Sequence, residues 1–381
     1  MRALIAFDKF KDALSAEAAC ETAATALPAL RCDCCPLTDG GEGFCAILTS
    51  SAAGRFVERS VTGSRGAPVA AGYGIVSWSA IPTAARAMMG LDQGPAAKVA
   101  IIEMARASGL ALLPSDQRDP WQTTSRGTGQ LIRAAAAEGA SAIVLGVGGS
   151  ATHDLGLGAL AECGVNGSTT AGAMVDWSRP AGWSALTQLD ARLTINLPPL
   201  FIACDVTNPL LGPLGAASVY APQKGLCPEN FEQLETLTRR VAERLCQSAG
   251  ADWALTEIPG AGAAGGIAFG LMCTAGARLL PGFDFVSAWF DLDARLAAAD
   301  LILTGEGRFD DSSMHGKGPG SVARRGLQLK KPVHVFAGQI DLSDPPPELH
   351  LHALTAPGTT LPDALRATRA NLADSVRRTF A

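Results

Sequence analysis

A chain of 381 residues, 48% of them hydrophobic, can bury a substantial core, and its length suits two or three domains. Its formal net charge of −5 comes from scattered signs with no basic stripe, which argues against a surface built to neutralise nucleic-acid phosphates. Forty-two glycines predict tight turns and close packing, and ten cysteines without an export signal predict reduced thiols rather than a disulfide framework.

The N-terminal run Met1–Lys9 is too short in apolar residues for a signal-peptide core, so Arg2–Phe7 is predicted as a first buried strand and the protein as cytoplasmic. Ser15 is placed to cap a helix over Ala16–Leu27. Cys32, Cys34 and Cys35 match no common zinc spacing and are predicted as structural thiols on a strand. Phe56–Thr62, Pro68–Ile75 and Val99–Met104 suggest short strands of an antiparallel element, with an irregular loop over Trp78–Lys98. Glu229–Leu245 carries Phe231, Leu234, Leu237, Val241 and Leu245 at helical spacing, which is a core face. Ile258–Ala277 is uncharged, yet Pro259 and six glycines predict a buried helix packed against backbone, not a membrane span. Toward the C-terminus come strand Leu301–Thr304, helix Gly320–Leu329, strands Val333–Ala337 and His352–Thr355, and helix Asp363–Phe380. The alternation predicts a doubly wound α/β domain made from both ends of the chain, residues 1–57 and 284–381, with residues 58–283 as an inserted domain.

Six loops concentrate glycine and charge: Asp8-Lys9-Phe10-Lys11, Asp39-Gly40-Gly41-Glu42-Gly43, Gly146–Asp154, Cys204–Pro209, Pro259–Gly266, and Thr304-Gly305-Glu306-Gly307-Arg308 running on through Asp310 to Gly316-Lys317. Glycine-rich turns present backbone N–H groups to anions, and carboxylates beside them call for a cation. Amides for phosphate, several acids and a few lysines are what phosphoryl transfer from a magnesium nucleotide requires. No Walker A sequence is present, because Gly318 follows Gly316-Lys317 and Asp311 stands at the leading glycine position. The protein-kinase glycine loop and its downstream residues are missing too.

Other classes stay open at this point. Gly146-x-Gly148-x-x-Ala151 and Gly260-x-Gly262-x-x-Gly265 match the dinucleotide fingerprint of an NAD-dependent hydroxy-acid dehydrogenase. The first lacks the ribose-reading acid about twenty residues on, and Pro259 interrupts any strand before the second. Ser150 is not in a nucleophile elbow, because the final glycine of that pattern is absent. The five histidines are scattered, with His153 and His315 inside glycine-rich loops. A non-catalytic sensor of a nucleotide or hydroxy acid is the remaining alternative.

Leu37-Thr38-Asp39-Gly40-Gly41-Glu42-Gly43, Gly148-Gly149-Ser150-Ala151-Thr152, the Cys204–Gly212 segment, Pro222-Gln223-Lys224-Gly225, Pro259–Gly266 and Thr304–Arg308 together resemble the bacterial type I glycerate kinases, in the family's order and across nearly the whole chain. The resemblance implies phosphorylation of D-glycerate by ATP with Mg²⁺, usually to 2-phosphoglycerate, in glyoxylate or sugar-acid catabolism. It also implies a Rossmann-like domain plus an inserted mixed α/β domain, with the active site in the interdomain cleft. On that basis Asp39, Glu42 and Glu306 are expected at the metal, and Asp8, Gly40, Gly41, Gly148, Gly149, Gly262 and Gly265 at the nucleotide. Lys11, Arg308 and Ser150 are expected on glycerate. Asp154 and Asp205 compete for the base role, Asp310 lies with them, and Lys317 faces the transferring phosphate. Partners are limited to the small molecules, with no nucleic acid and no membrane; oligomeric state is open, a homodimer included.

Overall fold

The structure, a computed structural model, describes residues 1–170, 175–315 and 318–380. The chain divides into two compact units, Met1–Asp39 with Phe283–Ala381, and Gly40–Gly282.

In the first unit five strands form an all-parallel sheet in the order Leu349–Ala353, Val333–Ala337, Leu301–Gly305, Arg2–Phe7, Arg31–Cys34. Both faces are covered, as a parallel sheet requires. Ala3, Ile5, Phe7 and Leu303 share one cluster with Ala19 and Ala23 of helix Ala16–Thr25 and with Leu372 and Val376 of helix Leu361–Thr379. On the opposite face, helix Pro319–Gln328 approaches so closely that a Cβ at Gly326 would stand 2.7 Å from both Ile302 and Val333. The strand order reverses at Arg2–Phe7, whose sequence neighbour lies on one side and Leu301–Gly305 on the other. Ligands of doubly wound sheets bind at the carboxyl ends of strands flanking such a reversal.

Arg2–Phe7 and Val333–Ala337 form as the sequence predicts, and the Ser15 hydroxyl accepts the Ala18 N–H at 3.2 Å. The last strand is Leu349–Ala353, not His352–Thr355, because its parallel pairing with Val333–Ala337 runs from Leu349 to Ala353.

The second unit is built on a six-stranded mixed sheet in the order Arg278–Pro281, Leu200–Cys204, Ala142–Gly146, Lys98–Glu103, Pro68–Ser77, Arg55–Thr62. The first four strands are parallel, and the last two continue antiparallel, which supplies the antiparallel element expected from the sequence. Trp78–Lys98 is not wholly irregular: helix Thr83–Met89 lies within it, started after Pro82 and stopped by Gly90 in the left-handed region, with Ala85 and Met89 buried. Here proline and glycine punctuate a helix instead of marking its absence. Helix Phe231–Ala249 buries Leu234, Leu237, Val241 and Leu245, as its spacing predicts.

The uncharged segment after Pro259 becomes helix Ala263–Ala275, whose first turn holds Ala264, Gly265 and Gly266 at φ 54, 73 and 86. The helix packs on backbone: a Cβ at Gly270 would lie 2.0 Å from the Leu155 carbonyl oxygen. Gly270→Ala therefore overpacks the core and should lower stability by about 1–3 kcal/mol, read as a lower urea midpoint with an unchanged slope.

Candidate active site

In the first unit, strand Arg2–Phe7 runs into Asp8 and strand Leu301–Gly305 into Glu306, and the register Phe7↔Gly305 sets these acids side by side. The Asp8 N–H donates to the Gly305 carbonyl at 3.0 Å, and its carboxylate accepts the Lys9 N–H at 2.6 Å. Gly305 has φ +156 and passes so near the next strand that a Cβ would lie 1.8 Å from the Phe336 carbonyl oxygen, so only glycine fits. Burial pushes the Asp8 carboxyl up to about 6, with Lys9 opposing and Asp39 reinforcing. Burial likewise pushes Glu306 up to about 7; a Ser313 hydrogen bond opposes this, and repulsion from Asp8, Asp310 and Asp39 adds to it. Acids from four points in the sequence thus share one electrostatic neighbourhood. Such crowding favours protonation until a cation arrives, and hard carboxylate oxygens suit Mg²⁺. Among the described residues no group of three or more His, Cys, Asp or Glu is arranged to hold a metal ion. Mg²⁺ is characteristically held by one or two carboxylates, with water and substrate phosphates completing its shell.

Asp310 is held low by its bonds from the Ser312 hydroxyl (2.5 Å) and the Ser313 N–H (3.2 Å), with Arg308 adding to the effect. Arg308 is exposed and engaged by Asp310 at 3.4 Å and Asp341 at 2.7 Å. Lys11 is exposed on the turn beside Gly307, where a Cβ would stand 3.4 Å from the Lys11 nitrogen. Gly316 and Lys317 lie outside the described residues, as does the His315 side chain.

In the second unit, four loops distant in sequence are tied together at the carboxyl ends of parallel strands. The Gly148 N–H donates to the Gly40 carbonyl at 3.0 Å, and a Cβ at Gly148 would fall 2.6 Å from Gly41 Cα. Gly149 accepts the Leu110 N–H at 2.8 Å. Gly260 and Gly262 both donate to the Asn208 carbonyl, at 3.3 and 3.0 Å, which docks the Pro259–Gly266 turn on the loop carrying Asp205. Gly265 accepts the Leu155 N–H at 3.1 Å and so meets the end of the Gly146–Asp154 loop. Asp205 follows strand Leu200–Cys204 directly and is half-buried. Glu42 is half-buried and adds like-charge repulsion to Glu103, a buried acid that ends its own strand. Glu103 accepts the Cys45 N–H at 3.2 Å and is pushed by burial up to about 7.

Asp154 has no exposed surface. Its carboxylate accepts from the Ser125 N–H (2.7 Å), the Ser125 hydroxyl (2.8 Å), the Gly156 N–H (3.1 Å) and the Gly158 N–H (3.3 Å). Burial raises its pKa, and these bonds oppose the rise. Beside it, His153 is buried and neutral, held down to about 3 by burial and by Lys224. Thr238 donates its single hydroxyl proton to the Leu234 carbonyl at 2.7 Å, so at 3.0 Å it accepts from His153 Nε2–H, which fixes the tautomer. The Nδ1 atom is left without a partner among the described residues.

Glu103, Ser125 and Lys224 carry parts of this arrangement without having been assigned roles from sequence. An acid closing the apolar run Val99–Ile102 was a usable signal for Glu103; nothing local marks Ser125 as Asp154's partner.

The model of the glycerate kinase family matches residues 3–381. The chain belongs to that family. It is 38% identical over 352 residues to the glycerate kinase of Bacillus subtilis (strain 168), covering 89% of this chain and 85% of the relative. It is 35% identical over 366 residues to the glycerate 2-kinase of Escherichia coli (strain K12), covering 93% and 89%. A crystal structure from Salmonella typhimurium LT2 assigned to glycerate kinase 2 superposes with a TM-score of 0.75 at 36% identity, covering 100% of this chain and 97% of that one. The chain is therefore a glycerate kinase, an enzyme that phosphorylates glycerate from ATP. Among the described residues no helix is long and apolar enough to cross a membrane. The dinucleotide alternative loses its strongest string, since strand Ala142–Gly146 is followed by a helix only at Leu157, too far along for the Gly146–Ala151 turn to open it.

Glu306 binds its proton more tightly folded than unfolded, so its contribution to stability is present below its ordinary value of 4.5 and lost as pH rises through about 7. Glu306→Gln escapes that loss. In melts without nucleotide or divalent cation, its stability relative to the native protein should rise between pH 4.5 and 7.5; a constant offset would contradict the assigned burial.

Proposed function

We propose that the enzyme transfers the γ-phosphoryl group of ATP to the 2-hydroxyl of D-glycerate, giving 2-phospho-D-glycerate in cytoplasmic glyoxylate or sugar-acid catabolism. The gathering of Asp8, Asp39 and Glu306 at the strand-order reversal carries the reading, and the likeness to the Escherichia coli glycerate 2-kinase supports position 2. Asp39 and Glu306 would hold Mg²⁺, with Asp8 in the same electrostatic neighbourhood; a bound ion would supply positive charge to offset that of the nucleotide phosphates. Backbone amides of Gly40, Gly41, Gly149 and Gly265 would receive the nucleotide phosphates, while Gly148 and Gly262, whose N–H groups are engaged by the Gly40 and Asn208 carbonyls, would hold the loops in shape. Ser150, Lys11 and Arg308 would take the glycerate carboxylate and hydroxyls, Arg308 exchanging its aspartate partners for the substrate anion, while Lys317 would face the transferring phosphate.

Asp205 is the preferred base. Asp154 is enclosed and its oxygens are occupied by four donors, so its role here is to anchor the Gly146–Gly158 loop. Asp205 accepts the hydroxyl proton as the new O–P bond forms, the bond from the γ-phosphorus to the β–γ bridging oxygen breaks, and ADP leaves. Asp310, held low beside Arg308, would orient the guanidinium at the other end of the short strand Arg308–Asp310.

Purified enzyme with ATP, Mg²⁺ and D-glycerate should release ADP, and Asp205→Asn should lower kcat about a hundredfold or more while melting like the native protein. Unchanged turnover would return the base role to another acid. Proton-coupled phosphorus NMR of the product should show a doublet, from the single proton on carbon 2; a triplet would place the phosphate on carbon 3.

A further inference from the structure

Lys224 is 2% exposed, in the turn Pro222–Lys224. Its Nζ donates to the Ser150 hydroxyl at 3.0 Å and to the Thr152 carbonyl at 2.7 Å, joining segments 74 and 72 residues apart. Gly225 seats the turn, passing near enough to Arg118 that a Cβ would fall 2.2 Å from its carbonyl oxygen. The amine thus grips both ends of Ser150–Thr152, the stretch leading into His153 and Asp154.

Burying an amine is costly, and an apolar side chain of similar volume would fill the space at less cost if filling were its only task. Asp154 and His153 are the titratable groups that act on it: Asp154 attracts the ammonium, and His153 stays neutral. Burial pulls the amine down to about 7. The consequence for Ser150 is directional. Its oxygen receives the Lys224 N–H, and among the described residues its own proton is donated to no protein acceptor. That proton is available to an oxygen of the substrate.

We infer that Lys224 is a positioning residue for glycerate: it holds the Ser150 hydroxyl as a donor toward the substrate and sets the shape of the Gly148–Thr152 loop. The inference rests on the assignment of Ser150 to the substrate. It does not require the amine to touch glycerate.

A double-mutant cycle of Lys224→Met and Ser150→Ala tests it, with KM for D-glycerate and for ATP measured on each variant after melting confirms the fold. Lys224→Met should raise the glycerate KM about tenfold, the weight of one charge-assisted hydrogen bond, and leave the ATP KM unchanged. Adding Ser150→Ala to it should cost less than Ser150→Ala alone, and Lys224→Gln, which keeps a donor, should recover part of the loss. If Ser150→Ala by itself leaves the glycerate KM unchanged, the assignment of Ser150 fails and takes the inference with it. If Ser150→Ala raises that KM while Lys224→Met does not, or the two effects multiply independently, only the inference is overturned. Failure of both Lys224 variants to fold also overturns it, because Lys224 would then serve packing alone.

Discussion

Parallel pairing of Arg2–Phe7 with Leu301–Gly305 brings residues about three hundred positions apart into one sheet, and the rest of the first unit is arranged around it. The register aligns Phe7 with Gly305, so the next residue on each strand is a carboxylate. Each finds itself partly desolvated beside like charge, and both are pushed well above the usual carboxylate range. A fold that only needed stability would avoid such a pair; a fold that must take up a cation with phosphate gains from having it ready. Gly305 makes the pairing compatible with the turn, since a side chain there would collide with the neighbouring strand.

The second unit meets a different constraint at its strand ends, where backbone approaches backbone. Gly40 and Gly148 share a hydrogen bond, and Gly260 and Gly262 share an acceptor, so these glycine-rich loops are fastened to one another through backbone groups. Beneath them lies a buried polar network, Ser125–Asp154 on one side and Lys224–Ser150–Thr152 on the other. Inside a protein such a network orders its members strongly when satisfied and is expensive when broken. Asp154 is satisfied by four donors, which explains how a carboxylate can be kept with no exposed surface. Its value lies in the loop it shapes, and the same holds for Lys224.

Much of this was legible in the linear chain. Period and composition located Arg2–Phe7, Val333–Ala337 and the core face of helix Phe231–Ala249, because a buried strand or an amphipathic helix writes its environment into its own residues. The glycine-acid motifs are compatible with phosphoryl chemistry on residue type alone, because glycine-rich turns can present backbone N–H groups to an anion. Helix Thr83–Met89 was obscured because Pro82 and Gly90 also read as loop residues. The last strand was placed too late because its extent follows pairing with a neighbour, which no local pattern records.

The elements therefore came from residue type and spacing, and the chemistry class from the resemblance of the ordered motifs to the glycerate kinases. The division of labour among the acids did not. Asp154 and Asp205 are equivalent on paper, each an aspartate in a loop near a strand end; one proves to be enclosed by Ser125, Gly156 and Gly158, and the other half-buried at the end of its strand. Lys224 stands in the sequence as a member of the Pro222–Gly225 motif without a role, and folding seals it against Ser150 and Thr152. Burial and hydrogen-bond partnership join residues far apart in the chain, and they govern whether a charged group reacts, binds or holds a loop in place.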